Sequence, residues 1–156
     1  GGTYLAGDEA TGAHMHDGVV HSVVTKNLDP HFLEAENFIL ASGGFFSKGL
    51  ESNPFQISEP VFGLDVEQTE DRSGWYHPDF AEDQPYLSFG VKTDATLHAI
   101  QNGKPMKNLH AAGSILGGTH PELGTVTIGS LGVVIGAHTG PGLLAAFYFC
   151  QGRTPN

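Results

Sequence analysis

An α/β fold with neighbouring parallel strands is predicted by two apolar segments built to one plan. Residues 108–118, Asn-Leu-His-Ala-Ala-Gly-Ser-Ile-Leu-Gly-Gly, begin as a short buried strand and run straight into glycine. Residues 37–44, Asn-Phe-Ile-Leu-Ala-Ser-Gly-Gly, repeat that plan upstream. Two such strands suggest neighbours in one sheet, with loops opening at the edge where ligands of parallel sheets sit. Gly113 permits a sharp turn or a close backbone approach, and Gly117-Gly118 leaves the main chain bare again. Loops of this kind aim backbone N–H groups at a flat or anionic ligand.

Composition narrows the class. A hydrophobic content of 39% is that of a globular chain, and 156 residues hold one domain with a core or part of a larger one. Lys and Arg number 7 against 17 Asp and Glu, and the net charge of −10 disfavours nucleic acid or anionic lipid as partner. Cys150 is the single cysteine, so no internal disulfide forms and a reducing compartment is expected. The most apolar region, 131–150, is broken by Gly136 and Gly140-Pro141-Gly142, and neither piece reaches the ~20 residues of a membrane span. No signal peptide is legible, and a soluble chain is expected. No Gly-x-Gly-x-x-Gly turn opens the sequence, so the reading expects an incomplete fold with one apolar sheet edge unpaired.

In chain order, residues 10–25 read as a hairpin about the turn Asp17-Gly18, flanked by Val19, Val20, Val23 and Val24. His14 and His16 fall on one face of its first strand, a pair too small for a metal site without further ligands. Asp29-Pro30 ends the hairpin, and a strand follows at 38–41. Residues 47–88 change texture, being rich in Pro, acids and aromatics, and read as an inserted cap or substrate-side segment packed as a separate lobe. Within it, 59–66 reads as strand, and Arg72 either pairs a substrate anion or a neighbouring surface acid. Short strands are expected at 91–93 and 97–100, with Asn102-Gly103 as the turn before the 108–118 segment. Ser130 is the expected N-cap of a helix whose positive end faces the glycine loops, although Val133, Val134 and Ile135 are weak helix formers.

The order of these motifs resembles one family. It comprises Phe-Ile-Leu-Ala-Ser-Gly-Gly-Phe-Phe-Ser from Phe38, Ile57-Ser58-Glu59-Pro60, Gly63-Leu64-Asp65-Val66 and Gly74-Trp75-Tyr76. Phe89-Gly90-Val91, Thr93-Asp94 and the segment from Asn108 to Gly118 complete it. Residues 1–118 are similar to the C-terminal third of the B-subunit family of anaerobic glycerol-3-phosphate dehydrogenases. The wider relatives are the flavoprotein subunits of fumarate reductases and succinate dehydrogenases.

The resemblance implies an incomplete Rossmann-like flavin-binding domain, with a β-hairpin and a small inserted cap lobe. Residues 1–46 and 89–156 would be its two parts and 47–88 the cap. It implies a flavin, FMN first and FAD as the alternative, held by Ser42, Gly43, Gly44, Gly113, Ser114, Gly117, Gly118, Ser130 and Leu131. Serine at 114 stands where larger relatives often carry glutamate, so the contact to the ribityl chain would be neutral and shorter. The implied function is passage of electrons from glycerol 3-phosphate towards quinone, beside a catalytic flavoprotein subunit and an iron–sulfur membrane-anchor subunit. The implied location is cytoplasmic, peripheral at the inner face of the cell membrane through those partners.

No catalytic residue is legible. His120, just after Gly117-Gly118, is the candidate for proton handling, against an ordinary turn residue before Pro121. The run 132–142, Gly-Val-Val-Ile-Gly-Ala-His-Thr-Gly-Pro-Gly, also looks like a short signature of the DegV family of fatty-acid-binding proteins. The alternative functions are therefore a non-redox lipid- or fatty-acid-binding fragment, in which His138 would matter, or a truncated chain without its own activity.

Overall fold

The computed structural model describes residues 3–28 and 31–119. Strands β1 (Ala10–His16) and β2 (Val19–Thr25) form the expected hairpin, with His16 opposite Val19. Asp17 and Gly18 both take positive φ, 51° and 74°, which is the twist a two-residue hairpin turn requires. The Asp8 carboxylate closes the open end, accepting from Thr25 Oγ1 at 2.7 Å and from the Asn27 N–H at 3.0 Å. A short β3 (Phe32–Glu34) adds to β2, completing a three-stranded antiparallel sheet.

A second three-stranded sheet has the order β4–β10–β9, from β4 (Phe38–Leu40), β9 (His98–Gln101) and β10 (Lys104–Ala111). Its key pairing is parallel: Leu109 lies opposite Phe38, His110 opposite Ile39 and Ala111 opposite Leu40. The two glycine-ended segments are thus neighbours in one sheet, as the sequence pattern predicts. Phe38, Leu40, Leu109 and Ala111 are all buried, so this pair forms the centre of the core. β4 takes an edge position, while β9 joins β10 through Asn102-Gly103, again with positive φ at both residues. Pro105 is tolerated in β10 because β4 pairs only with Leu109 to Ala111 and leaves that side of Pro105 free.

The buried Asn108 links the two sheets. Its Oδ1 accepts from the Val20 N–H at 2.8 Å, and its Nδ2 donates to Val20 O at 2.8 Å and Glu36 O at 3.0 Å. One side chain thereby mimics a strand partner for β2. Its removal would leave Val20 with a buried, unsatisfied N–H.

Two short ladders complete the described structure: β5 (Glu51–Ser52) with β6 (Ile57–Ser58), and β7 (Val66–Glu67) with β8 (Gly90–Val91). The expected strand at 59–66 is instead a turn. Glu59 is 2% exposed, and its carboxylate accepts from the Val61 and Phe62 N–H groups at 3.0 and 2.8 Å. Those bonds fold the backbone after Pro60 back on itself and leave strand only at the two ends, in β6 and β7. Leu50, Ile57, Phe62 and Leu64 join the same core cluster as Val23, Phe38 and Leu109, so the 47–88 segment is anchored in the shared core. Arg72 makes no salt bridge among the described residues; its guanidinium lies 5.7 Å from the Trp75 ring centroid, a cation–π contact. Among the described residues the regular structure is strand plus four 3-10 turns, and no helix is long and apolar enough to cross a membrane.

Candidate functional site

Because β4 and β10 run parallel and end level, the loops that follow them emerge side by side. The Ala112 N–H donates to Leu40 O at 2.9 Å, which carries the pairing into the start of both loops. Gly43 has φ +76°, and a Cβ placed there would lie 3.6 Å from Ser114 Oγ. A Cβ on Gly44 would lie 3.5 Å from Ser114 O. The loop 42–44 and the loop 113–118 are therefore in contact. Gly113 turns the second loop with φ +81°, and among the described residues nothing lies within 4 Å of where its Cβ would be. Among the described residues, the N–H groups of Gly43, Gly44 and Gly113 find no acceptor.

The other expected site residues have different surroundings. The Ser42 hydroxyl is buried, without a hydrogen-bond partner among the described residues, and lies against Gly49 rather than the open face. Gly117 and Gly118 spend their N–H groups on Val91 O and Ser88 O, at 3.1 and 2.8 Å. A Cβ on Gly117 would meet the Glu67 side chain at 2.9 Å, and one on Gly90 would collide with the backbone of Ile115, Leu116 and Gly117. In this structure those glycines bring the second loop against β8 rather than offering free donors. His120, Ser130 and Leu131 lie outside the described residues, as do the run 132–142, with His138, and Cys150.

A histidine pair next to the loops escaped the sequence reading. His98 and His110, on adjacent strands, have ring centroids 4.2 Å apart. Asp94 accepts from the His98 and Thr96 N–H groups at 3.0 and 2.8 Å, and Thr96 Oγ1 lies 2.7 Å from His98 Nδ1. Burial, then the neighbouring His98, holds His110 below the ordinary histidine pKa, so the neutral ring is favoured. A signal was present: His110 stands between Leu109 and Ala111, which alternation sends to the opposite face. In the hairpin, His14 bonds Ser22 Oγ at 2.9 Å and His16 pairs with Asp17 at 3.1 Å in solvent.

Parallel strands opening into apposed, glycine-rich loops are the arrangement in which α/β proteins hold nucleotide-type ligands. The comparisons name its class. Residues 1–122 match the family model described as the FAD binding domain, and the chain belongs to that family. Among its curated relatives, the B-subunit of the anaerobic glycerol-3-phosphate dehydrogenase of Vibrio cholerae serotype O1 (strain El Tor Inaba N16961) is 39% identical over 123 residues. That alignment covers 78% of this chain and 28% of the relative. The protein of the same name in Aliivibrio fischeri (strain MJ11) is 40% identical over 136 residues, 79% of this chain and 30% of the relative. Its Yersinia pestis counterpart is 38% identical over 121 residues, 78% and 28%. The resemblance drawn from the motifs is thereby borne out, and the chain spans under a third of the length of these relatives. No solved structure matches the chain. The family's cofactor is FAD, the second of the two flavins the motifs implied.

The residues present fit such a group in part of the surface. Among the described residues, Gly43, Gly44 and Gly113 leave N–H donors uncommitted, and the space beside Gly113 is open where any side chain would intrude. Ser114 borders both loops and adds a hydroxyl.

Proposed function

We propose that this chain is the flavin-holding part of a flavin-dependent oxidoreductase subunit, with FAD as its cofactor. The observation that carries the reading is the contact between the two glycine loops at the ends of parallel β4 and β10. Gly43, Gly44 and Gly113 would bring N–H donors against the cofactor, and Ser114 would contribute a neutral hydrogen bond to its hydroxylated chain. Bound FAD supplies the hydride and electron chemistry. The chain's own residues position it and exclude water, which needs no nucleophile or general base among them.

The domain reading is an incomplete Rossmann-like unit built from residues 1–46 and 89–156, with 47–88 as a cap on the substrate side. By likeness to the B-subunit relatives, the whole protein would pass electrons from glycerol 3-phosphate oxidation to quinone. It would work with a catalytic flavoprotein subunit and an iron–sulfur membrane-anchor subunit, at the cytoplasmic face of the membrane. Ser130 and Leu131 would extend the cofactor contacts, and His120 is the proposed proton-handling group. Equilibrium dialysis of the purified chain against FAD and FMN tests the central part. Binding of FAD near one equivalent, with FMN weaker, supports the reading; a chain that retains neither flavin contradicts it.

A further inference from the structure

Beside the Gly117-Gly118 turn lies a cleft of about 200 Å³, lined by Glu67, Gln68, Thr69, Ser88, Phe89 and Gly118. Its one charged side chain is acidic. Glu67 is exposed, and its carboxylate has no hydrogen-bond or ion-pair partner among the described residues, although Oε2 sits 2.9 Å from where a Gly117 Cβ would be. Ser88 gives its hydroxyl hydrogen to Pro85 O at 2.8 Å, which leaves its oxygen as an acceptor. Gln68 uses its carbonyl oxygen on the Ile57 N–H at 3.1 Å. The Gly118 N–H is already committed to Ser88 O. None of the lining residues is cationic.

An anion entering this cleft would meet the fixed negative charge of Glu67, which disfavours a phosphate or carboxylate, while the Gln68 amide and the Thr69 hydroxyl remain as neutral donors. A metal ion finds too few ligands, since no group of three His, Cys, Asp or Glu suited to one occurs among the described residues. What suits an unpaired carboxylate flanked by hydroxyl oxygens is a neutral group rich in O–H donors. We propose that the cleft receives a polyhydroxyl group, with Glu67 accepting its hydroxyl hydrogens. Two sources share that chemistry: the ribityl chain of a flavin on the adjoining loops, which rests on the function proposed above, or a free polyol such as glycerol.

The test uses the full chain as wild type, Glu67→Gln and Glu67→Ala, with FAD, lumiflavin (the flavin ring without its hydroxylated chain) and glycerol as probes. Thermal melting reports on folding, and the isosteric Glu67→Gln keeps the packing against Gly117. If the ribityl chain is the occupant, FAD binds about ten-fold weaker to Glu67→Gln and about thirty-fold weaker to Glu67→Ala, the loss expected for a charge-assisted hydrogen bond. Lumiflavin affinity stays unchanged. If a free polyol is the occupant, glycerol shifts the fluorescence of Trp75, the single tryptophan, in wild type but not in Glu67→Ala, and FAD affinity is unaffected. Trp75 reports on this wall because its Nε1 donates to Thr69 O at 2.7 Å. Equal behaviour of wild type and Glu67→Ala towards FAD and glycerol overturns the proposal, as does a parallel loss of FAD and lumiflavin. A wild type that binds FAD, with variants that match it towards both FAD and glycerol, rejects the cleft alone. A wild type that binds no FAD rejects the flavin reading, and the glycerol arm then decides the cleft.

Discussion

Replacing Gly113 by valine separates two roles that one glycine can play, because the structure supplies its own control. Gly113 and Gly103 have nearly equal φ, +81° and +74°, and neither has an atom of the described residues within 4 Å of where its Cβ would stand. Valine at either site therefore bears the same left-handed backbone penalty, about 1–2 kcal/mol for an L-residue and more for a β-branched one. For a chain of this size that lowers the melting temperature by about 2–8 °C. The two sites lie beyond opposite ends of β10, which itself spans about 23 Å at the strand's rise per residue. A ligand held against Gly113 would also have to yield to the added methyl groups. Overpacking of that kind costs about 1–3 kcal/mol, a loss of about 5- to 150-fold in FAD affinity. The assay pairs thermal melting with an FAD titration followed by flavin fluorescence. Equal melting shifts with weak FAD binding only in Gly113→Val are expected. FAD affinity in Gly113→Val within about threefold of Gly103→Val, below the loss that overpacking predicts, would refute the placement of the ligand.

The other expectations concern the frame around the site. Asn108→Leu should lower stability by about 2–4 kcal/mol in urea denaturation, because it strands the buried Val20 N–H and two carbonyls; a loss under about 0.5 kcal/mol would contradict the linking role. Gly90→Ala should destabilise by about 1–3 kcal/mol or more, since its Cβ meets only backbone, whereas Gly12→Ala, with open space around it, should be nearly neutral; equal melting temperatures would contradict the close approach. Burial raises the Glu59 carboxyl above 4.5 against the opposing N–H bonds of Phe62 and Val61. Its stabilising contribution is then complete below about pH 4.5 and is lost as pH rises through the raised folded value. Glu59→Gln cannot ionise, so its stability relative to wild type should improve between pH 4 and pH 8; parallel pH profiles would contradict this.

What could be read in advance was what neighbouring residues decide among themselves. Asp17-Gly18 and Asn102-Gly103 declare hairpins because few other pairs accept two left-handed residues in succession. The apolar runs ending at Ser42-Gly43-Gly44 and Gly113 declare buried strands that stop together. Distant partners were beyond reach. The stretch from Glu59 alternates like a strand, yet its own carboxylate captures the next N–H groups and turns the chain. Gly117 and Gly118 look like free donors until β8 brings Val91 O and Ser88 O to them. Asn108 was legible as the start of the central segment, while its tie to Val20 depends on how two sheets stack. Arg72 had acids close in sequence, but the Trp75 ring took it.

The central claim, that the two apposed glycine loops hold the flavin, is tested most directly by amide chemical shifts of the isotopically labelled chain during an FAD titration. The amides of Gly43, Gly44, Gly113 and Ser114 should move together and saturate at one equivalent, while those of Gly18 and Gly103, in the hairpin turns, stay in place. Saturable FAD binding that leaves these four amides unmoved would contradict the account.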